Sequence, residues 1–337
     1  MKKSTRNVLI GSGVVAAGIT AVTAVSYGVT KKLVEVALDR EQPKASKKSE
    51  NMLSGSAGQL KQFEEELTAA AEALKNCQCE TEEITAYDGI RLVGHLRKSE
   101  NEKRLIIAMH GWRSSWYSDF GGISEFFNTN GCSVLYAEQR GQGESGGEYM
   151  GFGMTERYDC LEWIKWANEN GYADIPIYLC GISMGAATVL MTAGLELPQN
   201  VHGIMADCGY TSPHAIWKHV AEENLHLSFS GITAAIANDM CKKRIQMGTK
   251  EYSCTDAMRK CKVPVLFVHG TDDRFVPVEM TYENYKACES PKRLLIVPGA
   301  EHGMSYLIDK EAYEKTVKEF WNDFDEYTRE AVRGEEN

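Results

Sequence analysis

The sequence predicts a doubly wound α/β domain with a mostly parallel sheet, a helical cap insertion and an N-terminal hydrophobic helix. Three observations lead there. Short, continuous apolar runs alternate with segments of helical periodicity. One long stretch with helical spacing and no strand candidate interrupts that alternation. Near the N-terminus, Val8 to Val29 carries no charge and is flanked by Lys2, Lys3 and Arg6 on one side and Lys31 and Lys32 on the other.

An uncharged stretch of this length can cross a hydrocarbon core of about 30 Å as a helix. Residues 1–30 are therefore expected to be a single-pass membrane anchor, with a cleaved signal peptide ending near Ala24-Val25-Ser26 as the rival reading. The basic residues on both flanks leave open which side of the membrane the remainder would face. Residues 31–79 read as a linker followed by a short helix: 30–56 are polar and charged around Pro43, and Leu60, Phe63, Leu67, Ala70 and Leu74 recur at helical spacing. On this reading the chemistry needs nothing from the first 30 residues.

The folded domain is expected over 80–330, with a tail at 331–337. Ile84 to Leu96 alternates around Asp88-Gly89, the pattern of a β-hairpin. The apolar runs follow at Leu105 to Met109, Ser133 to Tyr136, Ile177 to Cys180, Gly203 to Ala206, Val263 to Val268 and Arg293 to Val297. Runs without polar alternation suit strands covered on both faces, as in a parallel sheet. Between them, Thr155 to Glu169, Gly185 to Leu195 and Pro277 to Ala287 read as helices. The segment 212–250 breaks the rhythm and is read as a helical cap, because insertions between the strands of such a sheet tend to cover its functional edge.

Composition excludes some functions. A net charge of −10 among 337 residues, with no basic stripe interleaved with aromatics, argues against nucleic-acid binding. The ten cysteines offer no paired zinc spacing, since Cys77-x-Cys79 has no second pair, and Cys132, Cys160, Cys180 and Cys208 sit in apolar or helical runs. Most of the cysteines are read as reduced thiols.

Gly181-Ile182-Ser183-Met184-Gly185 lies between an apolar run and a helix-like run, which is the setting of a nucleophile on a sharp strand-to-helix turn. A serine hydroxyl needs a base. Among the eight histidines, His302 lies in the glycine-flanked loop Gly299 to Gly303, just past the last apolar run. His95 belongs to the hairpin and is read as a surface residue; His214, His219 and His226 belong to the cap and are read as solvated. The base needs a carboxylate to fix its tautomer, and His269 to Pro277 offers Asp272 and Asp273. Two backbone donors for an oxyanion are expected at Met184, next to the serine, and at Trp112 in His110-Gly111-Trp112.

Together, His110-Gly111-Trp112, Arg140 to Ser145, Gly181 to Gly185, His269 to Val276 and Glu301-His302-Gly303 resemble the α/β-hydrolase superfamily. They are most similar to a branch of membrane-anchored bacterial hydrolases related to serine aminopeptidases and acylaminoacyl-peptidases. The resemblance spans about Glu80 to Tyr327. It implies Asp273 rather than Asp272 as the acid, and a structural turn rather than a phosphate loop at Arg140 to Ser145. One departure is Glu138, where the family commonly carries aspartate, which puts a supporting contact in question.

The resulting expectation is a serine hydrolase that cleaves an ester, thioester or amide of a small acyl substrate through an acyl-enzyme, carboxylesterase- or lipase-like first and peptidase second. No metal and no organic cofactor are expected. A non-catalytic binding protein on the same fold is the reading from another class. Oligomeric state is not legible in the sequence.

Overall fold

The computed structural model describes residues 26–41 and 57–326. Its centre is an eight-stranded sheet: β1 (Glu80–Thr85), β2 (Arg91–Arg97), β3 (Arg104–Met109), β4 (Cys132–Ala137), β5 (Ile177–Ile182), β6 (Val201–Asp207), β7 (Val265–Gly270) and β8 (Lys292–Val297). The spatial order is β1-β2-β4-β3-β5-β6-β7-β8. The β1–β2 hairpin and the β2–β4 pair are antiparallel, and all other pairs are parallel. Every residue of β3, β4 and β7 is buried, as continuous apolar runs require when helices cover both faces.

The helices, in chain order, are α1 over residues 26–38, α2 (Ala57–Gln62), α3 (Glu64–Lys75), α4 (Trp116–Thr129), α5 (Glu156–Glu169), α6 (Met184–Thr192), α7 (Pro213–His219), α8 (Ile232–Ile245), α9 (Cys254–Met258), α10 (Val278–Ala287), α11 (Ser305–Ile308) and α12 (Lys310–Phe324). One core layer joins α5, α6 and the cap to the sheet, and the other joins α4 and α12 to its opposite face. The insertion 212–250 folds as α7, a π-helical turn over Val220–Asn224, and α8. Ser212 starts α7 by accepting from Ala215 N at 3.1 Å, with Pro213 at the first helical position, where its missing N–H goes unneeded.

The N-terminal region departs from expectation. Val8 to Val29 lies outside the described residues except for 26–29, which begin α1. Among the described residues no helix is long and apolar enough to cross a membrane. Residues 31–41, the start of the expected linker, are folded onto the domain instead. Leu33, Val34, Ala37 and Leu38 fall on one side of a helix whose other side carries Lys31, Lys32 and Glu35, and Val34 and Leu38 are buried in the main core. Three cations hold its C-terminal end, where unpaired carbonyls accumulate. Arg113 donates to Val36 O (2.8 Å) and Asp39 O (2.5 Å), Arg40 to Gly143 O (2.6 Å) and Ser145 O (2.5 Å), and Arg244 pairs with Asp39 at 2.6 Å. Helix α3 is likewise integral, since its backbone at Ala70 lies so close to α4 that a Cβ on Gly121 would stand 2.7 Å away.

Two readings of the sequence change around β2. His95 is no free surface residue: its ring stacks on Trp116 at 4.5 Å and its Nε2 lies 2.9 Å from Glu138. Glu138 also accepts from Glu144 N, so glutamate here does make a supporting contact to the turn. Burial pushes the Glu138 carboxyl up, but those two bonds and the nearby imidazoles of His95 and His110 together outweigh it and the net shift is downward.

That turn is fastened by Arg140, itself buried. Arg140 Nε donates to Asp159 on α5 at 2.6 Å, and Nη1 to Asp88 at the hairpin tip at 2.7 Å. One guanidinium therefore ties hairpin, turn and helix together, with Asp159 almost fully buried beside it. Removing one partner of such a pair strands the other charge. Arg140→Ala is expected to lower the unfolding free energy by about 3–5 kcal/mol, read from the urea midpoint. A loss under about 1 kcal/mol would place the clamp with ordinary surface pairs.

Candidate active site

The chain passes from β5 into α6 through Ser183, whose backbone has φ 56° and ψ −114°. A non-glycine residue in that region is strained, and strain of this kind persists only where the surroundings enforce it. Here the glycines on either side enforce it. A Cβ on Gly181 would collide with the Gly185 carbonyl, and a Cβ on Gly185 would collide with the carbonyls of Met109 and His110. Of the latter two, Met109 ends β3 and His110 lies just beyond it, so strand and helix can close on each other only with both glycines in place, and the closure leaves the Ser183 side chain at the C-terminal edge of the sheet.

Three loops from separate strands meet there. His302, after β8, has Nε2 2.9 Å from Ser183 Oγ and Nδ1 2.6 Å from Asp273 Oδ2. An ionised carboxylate can only accept, so Nδ1–H donates to Asp273, and in the neutral ring Nε2 is left to accept from the serine hydroxyl. Asp273 follows β7. Its Oδ1 accepts from Phe275 N (2.9 Å) and Val276 N (2.8 Å), and Oδ2 accepts a second bond, from His269 Nε2 at 3.1 Å. His269 Nε2 also faces Val276 O at 2.8 Å, so it carries the proton, and its Nδ1 accepts from the Thr281 hydroxyl at 2.6 Å. Asp272 points elsewhere: it is exposed and accepts from its neighbour Thr271.

Electrostatics follow from this packing. Burial alone would push the Asp273 carboxyl up, but the His302 charge and the bonds from His269 and His302 hold it well below the usual carboxylate range. Burial alone would push His302 down; Asp273, with a smaller contribution from Cys208, raises it well above the ordinary histidine value instead. His110, in contrast, is buried behind the site, where desolvation pushes it down, and Gln139 N donates to its Nε2 at 3.2 Å. It is in no position to serve as base. None of the cap histidines lines either cavity at Ser183.

The backbone donors near Ser183 Oγ sort themselves. Gly111 N is taken by Asp119 Oδ2 (2.6 Å), Arg113 N by Gln142 Oε1 (2.6 Å) and Ser183 N by Asp207 O (2.9 Å). Among the described residues, the N–H groups of Trp112 and Met184 have no acceptor, and Met184 opens α6, where first-turn donors are free by geometry. Two unpaired donors beside a serine are what a site for a developing oxyanion requires. Cys208, Asp273 and His302 offer potential metal-ligand atoms within 4.8 Å of one another, but His302 and Asp273 already satisfy each other and among the described residues no further ligand joins them.

Several contributors escaped the sequence reading. Gln59 on α2 exchanges hydrogen bonds with the His302 loop: it receives from Glu301 N (2.9 Å) and donates to Gly299 O (2.7 Å) and Glu301 Oε2 (3.0 Å). Trp112 donates its indole N–H to Ala37 O at 2.9 Å, which seats α1 over the site. Phe152, at φ 52° between Gly151 and Gly153, packs against Trp112, Tyr210 and Trp217. Only α1 left a signal, in the helical spacing of Leu33, Val34, Ala37 and Leu38. The other residues are placed by contacts between distant segments.

The prolyl oligopeptidase family (Peptidase S9) model matches residues 118–326. The chain is 31% identical over 248 residues to YqkD of Bacillus subtilis, an uncharacterized protein, covering 72% of this chain and 79% of that one. In structure it is similar to the Pyrococcus furiosus esterase Pf2001, with a TM-score of 0.61 at 21% identity over 74% of this chain and 92% of that one. It is also similar to the Pyrococcus horikoshii acylaminoacyl peptidase, with a TM-score of 0.56 at 15% identity, over 76% of this chain and 43% of that one. At such identities the structural likeness is one of fold.

The raised His302 gives a measurable consequence that does not depend on turnover. Its imidazole, followed by NMR, is expected to lose its proton well above the ordinary value of 6.5. Asp273→Asn removes the stabilising carboxylate, so the midpoint falls. A midpoint that stays put in that variant would mean that another group holds the proton.

Proposed function

This chain belongs to the prolyl oligopeptidase family of α/β-hydrolases, and we propose that it hydrolyses carboxylic esters through an acyl-enzyme on Ser183. One observation carries the reading: Ser183 Oγ lies 2.9 Å from a histidine nitrogen whose ring partner is 2.6 Å from a buried carboxylate. In the proposed sequence His302 Nε2 takes the Ser183 proton as Oγ attacks the carbonyl carbon. The carbonyl oxygen becomes an oxyanion facing the N–H groups of Trp112 and Met184. Asp273 holds the Nδ1–H tautomer and stabilises the imidazolium. His302 then gives its proton to the leaving alkoxide, and the ester bond breaks. Water, deprotonated by the same nitrogen, releases the acid and restores Ser183. No step calls on a metal or an organic cofactor.

A peptidase is the second reading. The family description favours it, and so does the wide cleft of mixed polarity on the His302 side of Ser183, about 700 Å³ and lined by Glu72, Lys75, Tyr117 and Asp119 among others. A cleft of that character can receive an amine leaving group as well as an alcohol. Paired esters and amides of one acyl group separate the readings through their kcat/KM values.

Ser183→Ala is expected to abolish both ester hydrolysis and labelling by a fluorophosphonate probe while the thermal unfolding midpoint stays near that of the parent. Asp273→Asn should lower kcat by about 10⁴-fold, the scale of losing the correct histidine tautomer, whereas Asp272→Asn changes it little. Turnover by Ser183→Ala at the parent rate would exclude the acyl-enzyme, and leave a binding protein or another nucleophile. A larger loss in Asp272→Asn than in Asp273→Asn would move the acid.

A further inference from the structure

Ser183 stands between two cavities of opposite character. The wide cleft is lined by His302; the other, of about 190 Å³, is lined by Ser183 and Met184 but not by His302, and its walls are almost wholly apolar. Proton transfer decides which half of a substrate enters which. The leaving group must accept a proton from His302 Nε2, so it departs on the His302 side. The acyl group, with its carbonyl oxygen between Trp112 N and Met184 N, then extends into the apolar cavity.

That cavity is assembled from segments far apart in the chain. Helix α1 supplies Leu33, Val34 and Ala37; the loop after the Arg140 turn supplies Phe152; the cap supplies Trp217 and Phe229. No Asp, Glu, Lys, Arg or His side chain lines it, and its only hydroxyls are those of Thr30, Ser183 and Tyr210, so a charged acyl group would lose its water without an opposite charge to replace it. At roughly 30 Å³ per water-sized group, the space holds about six carbons. Resting on the serine-hydrolase reading above, we propose that this is an acyl-binding pocket for a medium-length fatty acyl group, and that α1 forms the wall that limits its length. The N-terminal segment is then a specificity element of the enzyme.

The pocket predicts a graded preference. Burying each further methylene contributes about fourfold in affinity, so kcat/KM of the full-length protein should climb from p-nitrophenyl acetate through butyrate to hexanoate or octanoate, and fall again at palmitate. Filling the cavity from opposite walls, by Ala37→Phe on α1 and by Ala221→Phe in the cap, should each lower the hexanoate-to-acetate ratio at least tenfold. Leu33→Ala should shift the optimum to longer chains, a change in the opposite direction that a misfolded variant does not produce. Fluorophosphonate labelling of Ser183 is run on every sample. Labelling together with a profile that is flat or falls from acetate, or with a ratio that none of the three variants moves, overturns the acyl pocket and leaves the serine hydrolase standing. No labelling and no hydrolysis of any ester in the series overturns both.

Discussion

The backbone at Ser183 is the constraint on which the rest of the site depends. A serine at φ 56° and ψ −114° is costly to hold, and it is held because β5, α6 and β3 approach more closely than any side chain at Gly181 or Gly185 would allow. The position of the hydroxyl is therefore set by the central strands of the sheet, its most deeply buried part. Loops bring partners to it: the His302 loop is tied to α2 by Gln59, and the Asp273 loop is folded around its own carboxylate by Phe275 N, Val276 N and His269. A rigid centre with tethered partners is the arrangement that keeps reacting groups within hydrogen-bond reach without asking the whole edge of the sheet to be stiff.

Charge placement follows the same order. Asp273 is buried, yet it stays ionised because its oxygens face N–H groups from the backbone, His269 and His302. The negative charge so stabilised is what raises His302. The paired donors Trp112 and Met184 remain free because their neighbours are occupied by Asp119, Gln142 and Asp207. Each group is defined as much by what its neighbours have already satisfied as by its own identity.

Much of this was legible in the sequence for physical reasons that act locally. Strands covered on both faces must be continuous apolar runs, so the parallel sheet could be read off. A strained strand-to-helix turn needs small residues on both sides of the nucleophile, so Ser183 stood out with its glycines. Loops that follow strands reach one edge of a parallel sheet, so His302 and Asp273 could be matched to it. The helix over residues 26–38 was missed because the uncharged run Val8 to Val29 dominates the local pattern, whereas the amphipathic spacing of α1 begins only where that run ends. Gln59, Phe152 and the His95–Glu138 pair depend on contacts across many tens of residues, and nothing in their immediate neighbours announces those contacts. The acid could be narrowed only to Asp272 or Asp273 from the residues themselves, because adjacent carboxylates in one loop differ solely in which way the backbone turns.

Trp112 has two attachments that belong to different parts of the enzyme. Its main-chain N–H is one of the two donors proposed for the oxyanion, while its indole N–H is bonded to Ala37 O at the end of α1. On the proposed mechanism a single residue thus joins the wall of the apolar cavity to a group that would stabilise reacting charge. Selectivity and rate are then not independent traits in this lineage. A change in α1 that resizes the cavity also tugs on the oxyanion donor, so new substrate ranges would be reached through intermediates that turn over slowly, and drift in the N-terminal segment would be held in check by selection acting on catalysis.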